Sequence, residues 1–153
     1  MAKIWKSSLS TRFKQRLFTA TVESVLLYGC EAWTVTSKLA KELDGCYTRL
    51  LRAMRNVHWK QHMTNKELYG DLPKLSDKIR ERRTRFAGHC YTATVSKLVH
   101  WIPKHGKRKQ GRPTLTFVDI LRQDTRLEST DMVTAMQDRK IWRAITVRGQ
   151  YST

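Results

Sequence analysis

The chain is 153 residues long and carries 30 Lys and Arg against 13 Asp and Glu, a formal charge of +17 with a pI near 10.3. A field of that sign attracts polyanions, and nucleic acid, which gains affinity by releasing condensed counterions, is the expected partner ahead of an anionic membrane surface. An apolar content of 40% with five Trp excludes a disordered basic tail; the sequence holds no run of about 20 apolar residues and no signal-peptide core after Met1, so no membrane span and an intracellular protein are expected.

In chain order, Ser10 is placed to cap a first helix, in which Phe13, Leu17, Val22, Val25 and Leu26 recur near the helical period and which Gly29 ends. Trp33, in the following connection, is expected to plug the bundle. A second helix starts after Thr36 or Ser37 and packs on the first, because Leu39, Leu43, Cys46, Tyr47, Leu50, Leu51 and Met54 keep the spacing of 3 and 4 unbroken. Thr64 and Glu67 form a capping box that opens a short helix closed by Gly70 and Pro73. Ser76 is expected to cap a fourth helix, with Ile79, Phe86, Ala87 and Cys90 inward and Lys78, Arg82, Arg85 and His89 on another stripe. Four cations stacked without acidic neighbours repel one another unless phosphates or counterions neutralise them; a solvated surface face is the alternative.

Beyond Ala93, Val95, Leu98, Val99 and Trp101 are either a strand or a helical turn, and the Lys104 to Pro113 segment is expected to be an open cationic loop. A fifth helix holds Phe117, Ile120 and Leu121, a sixth holds Met132, Val133 and Met136, and Asp138 caps a last one holding Ile141, Trp142 and Ile145. The expected organisation is a helical bundle over 1–93, a linker with the basic loop over 94–113, and a thinly cored helical extension over 114–153.

Catalytic apparatus is not visible. The sequence has no Gly-rich phosphate loop, no HExxH pair and no hydrolase triad order, and Asp77, Asp119, Asp124, Asp131 and Asp138 fall where helix capping or charge balance accounts for them better than magnesium. His89, Cys90, His100 and His105 are zinc-binding types without knuckle spacing, and Cys30, Cys46 and Cys90 read as buried thiols, so neither metal nor cofactor is expected. Lys107, Arg108, Lys109, Gly111, Arg112 and Pro113 are similar to an AT-hook, although Gln110 stands where the hook has another Arg; a nonspecific phosphate tether is the preferred reading, and the run also suits a nuclear import signal. Trp59 and Trp101 could stack on unpaired bases, but core packing is the expectation for isolated Trp.

A family resemblance covers nearly the whole chain. Ile4-Trp5-Lys6-Ser7 and the run Thr21-Val22-Glu23-Ser24-Val25-Leu26-Leu27-Tyr28-Gly29-Cys30-Glu31-Ala32-Trp33 resemble the region after the palm in reverse transcriptases of non-LTR (LINE-type) retrotransposons. The order continues through Leu50-Leu51-Arg52, Asn65-Lys66-Glu67-Leu68-Tyr69-Gly70, Arg85-Phe86-Ala87-Gly88-His89-Cys90, Pro103-Lys104-His105-Gly106, Gly111-Arg112-Pro113 and Met136-Gln137-Asp138-Arg139. The segment from Tyr91 to Ser96 is shorter than the family's usual spacer, and no cysteine cluster completes a zinc knuckle. The resemblance implies a helical thumb and C-terminal extension whose family role is gripping template RNA and target DNA. The family's palm aspartates and endonuclease have no counterpart, which makes Met1 the expected accidental start of a degraded copy.

The combined expectation is an all-α protein, a thumb-like helical bundle with a basic loop and a small helical extension. It would bind RNA or DNA through backbone phosphates at Lys78, Arg82, Arg85, Lys107, Arg108, Lys109 and Arg112, without catalysis, in the nucleus, and beside the polymerase core. The rival reading is an inert or protein-interaction helical fragment without its own ligand.

Overall fold

The computed structural model describes residues 2–92, 111 and 116–148, and every regular element among them is helical. The all-α expectation therefore holds. Val95, Leu98, Val99, Trp101 and the whole basic loop except Gly111 lie outside the described residues.

The chain divides into two compact units, residues 1–30 with 35–78, and residues 31–34 with 79–153. The first holds α1 (Ala2–Trp5), α2 (Thr11–Phe18), a π-helical turn (Thr19–Glu23), α3 (Ser24–Leu26), α4 (Ser37–Met54) and α5 (Asn65–Tyr69). The next helix, α6 (Leu75–Thr92), begins in the first unit and continues in the second, which adds α7 (Phe117–Thr125), α8 (Ser129–Gln137) and α9 (Arg139–Arg148).

In the first unit the Ser10 hydroxyl accepts the Phe13 N–H at 3.3 Å, so the expected cap is present, and Gly29 ends the stretch at φ +64°. Its buried face is not the expected one. Phe13 and Val25 are 51% and 76% exposed, while Lys14, Phe18, Glu23 and Leu27 are buried. Those four are spaced 4, 5 and 4, and the step of five is the π turn, which rotates the following residues relative to a uniform 3.6-residue period. Lys14 is buried because its ammonium donates to the Trp5 and Ser7 carbonyls, each at 2.8 Å, in the chain leaving α1.

Thr36 caps α4, whose Tyr47, Leu51 and Met54 are buried; Leu39 and Cys46 are exposed, the latter against the expectation of a buried thiol. Rings of Trp5 and Phe18 meet at 6.3 Å, Phe18 and Tyr47 at 5.9 Å, and Tyr47 and Tyr69 at 6.1 Å, so α4 does pack on the first helical stretch. Thr64 and Glu67 make the reciprocal capping box, at 3.3 and 3.0 Å, and Gly70 closes α5 at φ +53°. Ser76 is not the cap of α6. It lies in the first turn, and the Asp44 carboxylate of α4 takes both its N–H, at 2.9 Å, and its hydroxyl, at 2.8 Å, so the cap comes from a distant residue.

The second unit has its own apolar centre of Ala87, Val118, Leu121, Met132, Ala135, Met136 and Trp142, with Tyr91, Phe117, Leu127 and Ile145 packed against it. The C-terminal helices thus have a core of their own, and the two compact units part between Lys78 and Ile79. The reason is that Ala87 on α6 completes the core of α7, α8 and α9. Phe86, expected inward, is exposed, and so is Val133 of α8. Thr116 and Asp119 form a capping box for α7, and the Asp138 carboxylate accepts from the Lys140 and Ile141 N–H groups as expected.

Candidate nucleic-acid interface

Of the seven cationic residues read from the sequence as phosphate contacts, three are described. Lys78 belongs to the first unit and is only 16% exposed at its side chain. Its ammonium pairs with Glu23 at the end of the π turn, donates to the Tyr47 hydroxyl at 2.9 Å and sits 5.2 Å from the Tyr47 ring centroid. Three elements of one unit therefore use Lys78 as an internal tie. Burial, and then the Glu23 charge, push the Tyr47 phenol well above its ordinary range.

Arg82 and Arg85 belong to the second unit. Arg85 is 70% exposed and pairs with Glu81 one helical turn earlier, and Arg82 is half-buried. Lys78 and Arg85 thus each find a carboxylate, Glu23 and Glu81, in place of the expected unrelieved row of like charges. Lys107, Arg108, Lys109 and Arg112 lie outside the described residues.

A cation that the sequence reading passed over is the most deeply buried among the described residues. Arg83 is 3% exposed, donates to Asp124 at 2.8 Å and to the Trp33 carbonyl at 3.2 Å, and Arg80 adds a second contact to Asp124 at 3.6 Å. Burial keeps the Asp124 carboxyl above the usual range even beside Arg83 and Arg80, whereas the Thr116 hydroxyl and N–H hold Asp119 below it. A signal for Arg83 was present, since Ile79, Arg83, Ala87 and Cys90 follow one another at helical spacing and three of the four are apolar. Trp33 is half-buried and takes part through its carbonyl rather than as a wholly buried plug.

Surface cations remain in both units. Arg12, Arg16, Lys38, Lys41 and Arg49 are exposed in the first, and Arg85, Arg126, Arg139, Lys140 and Arg143 in the second. The first unit carries 14 Lys and Arg against six Asp and Glu, the second 16 against seven, so the formal charge divides as +8 and +9. The positive field is a property of each unit.

Trp59 corrects a further expectation. Core packing was expected for it, yet it is 73% exposed, in a 3₁₀ turn (Trp59–Gln61) of the connection between α4 and α5. Among the described residues no three His, Cys, Asp or Glu side chains are grouped to hold a metal ion, and no helix is long and apolar enough to cross a membrane. His100 and His105 lie outside the described residues.

No family model, curated protein or solved structure matches this chain.

Proposed function

We propose that this chain is a noncatalytic, nucleic-acid-binding part of a non-LTR retrotransposon reverse transcriptase, holding RNA or DNA through backbone phosphates in the nucleus, beside a polymerase core. The observation that carries the reading is the charge, +8 and +9 on two compact units that each bury apolar side chains. A surplus spread over two folded units offers phosphate contacts from both, and base-independent contacts of this kind supply position and affinity. The ordered motifs from Ile4 to Arg139 support the choice of family, and an all-helical architecture is what a thumb with a helical extension calls for.

The test is a salt titration of the full chain against a duplex DNA and a single-stranded RNA. Each phosphate contact lowers log K by about 0.9 per decade of salt on duplex and about 0.7 on single strands, so several contacts give a steep line. Binding that is absent at low salt, or that salt leaves unchanged, refutes the proposal, and template-directed primer extension by the isolated chain would refute its noncatalytic part. A second reading, a helical module that binds protein, is favoured by one feature: Leu9, Phe13, Val25 and Tyr28 are all exposed in the first unit.

A further inference from the structure

Trp59 stands in the connection from α4 to α5, where the backbone around it is held in place. The His58 side chain accepts from the Lys60 N–H at 3.4 Å and the His58 N–H donates to Gln61 Oε1 at 3.1 Å, closing the turn reciprocally. Arg52 donates to the Met63 carbonyl and to Asn65 Oδ1, both at 2.9 Å, and its own carbonyl accepts the Val57 N–H at 2.9 Å. Asn56 and His62, on either side of the turn, adopt φ +54° and +47°, conformations that side-chain-bearing residues seldom hold without support. The scaffold is therefore spent on a turn whose largest side chain is left in solvent. That side chain is the most exposed Trp among the described residues.

The surroundings are cationic. From Gly45 to Lys66 the sequence has no Asp or Glu and five Lys and Arg, with His58 and His62 flanking the turn in sequence. Lys60 Nζ lies 5.8 Å from the Trp59 centroid, and the His58 ring lies 5.8 Å away, tilted by 37°. We propose that Trp59 is a stacking platform for an unpaired base of single-stranded nucleic acid, with Lys60 taking the adjoining phosphate. The inference rests on the nucleic-acid reading above and narrows it to single strands at this turn. A base inside a duplex is already stacked on both faces, whereas an unpaired base offers a π-face that a fixed indole can take whatever the sequence. A partner protein would want apolar neighbours around such an anchor, and the turn supplies His58, Lys60, Gln61 and His62 instead.

The experiment titrates the full chain, Trp59→Ala and Trp59→Phe against labelled oligo-dT and against a hairpin duplex of equal length. Trp59→Ala is expected to weaken oligo-dT binding about tenfold, and Trp59→Phe about threefold or less, because the smaller ring still stacks. The slope of log K against log salt stays the same in both variants, since stacking releases no counterions, and duplex affinity moves less than about twofold. Helix content read by circular dichroism stays at the parent value, the removed ring being exposed. An Ala variant within about twofold of the parent on oligo-dT, an equal loss on duplex, or a Phe variant as weak as the Ala variant overturns the stacking site and leaves phosphate binding standing. A parent chain that binds neither nucleic acid at low salt overturns both.

Discussion

Arg83, with 3% of its surface exposed, is tied to Asp124 at 2.8 Å and to the Trp33 carbonyl at 3.2 Å. Removing one member of such a pair strands the other charge away from water, which costs more than the pair itself contributes. Asp124→Asn is expected to lower unfolding free energy by about 3 kcal/mol, measured by urea denaturation, while replacing Arg83 and Asp124 together by Met and Leu recovers most of that loss. A double variant as unstable as the single one would show that the cost is packing rather than stranded charge. Tyr47 gives a pH dependence. Its phenol is held above 10.0 in the folded chain and ionises near 10.0 once unfolded, so above that pH the unfolded state binds fewer protons and stability falls as pH rises. The contribution reaches about 1.4 kcal/mol per pH unit. Urea midpoints compared at about pH 9 and about pH 11 are expected to fall less for Tyr47→Phe than for the parent, and equal falls would place the ionisation of Tyr47 elsewhere.

Helices separate what neighbours in sequence decide from what distant partners decide. The caps at Ser10, Thr36, Thr64 with Glu67, and Asp138 were legible because donor and acceptor lie within three residues of each other. The face of the first helical stretch was not, because a single π turn moves the buried row from a step of four to a step of five and places Glu23 inward, toward a lysine 55 residues away. Glycines show the same divide. Gly45, inside α4, has nothing within 4 Å of a Cβ added there, whereas a Cβ on Gly88 of α6 would overlap the Trp142 indole, whose Nε1 donates to the Thr84 carbonyl at 2.9 Å. Gly45→Ala is therefore expected to raise stability by about 1 kcal/mol through helix propensity, and Gly88→Ala to lower it by about 1 to 3 kcal/mol through overpacking. Thermal unfolding of the two variants checks both signs, and a stabilised Gly88→Ala would mean that Trp142 is free to move aside.

Over the whole molecule the charge is the simplest quantity and the most evenly distributed, +8 on one unit and +9 on the other. Replacing Lys107, Arg108, Lys109 and Arg112 together by Gln is expected to reduce the slope of log K against log salt on duplex DNA by between about 3 and 4 if all four meet phosphates, and to leave a residual slope from the remaining cations. An unchanged slope would place the phosphate contacts entirely on other residues. Composition, helical period and capping signatures by themselves determined that this protein is basic, helical and built without a membrane-crossing helix among its described residues, because each of those follows from residue type and short-range spacing. Only the tertiary structure decided which cations serve the interior and which the surface. Spacing gave Lys78 no mark that Arg85 lacked, and it marked the face of Arg83 but not its partner; the roles of Lys78 and Arg83 depend on Glu23 and Asp124, 55 and 41 residues away, which no local spacing can bring to them. The same holds for Trp59, since the exposure of its indole is set by the 3₁₀ turn that carries it and not by its residue type.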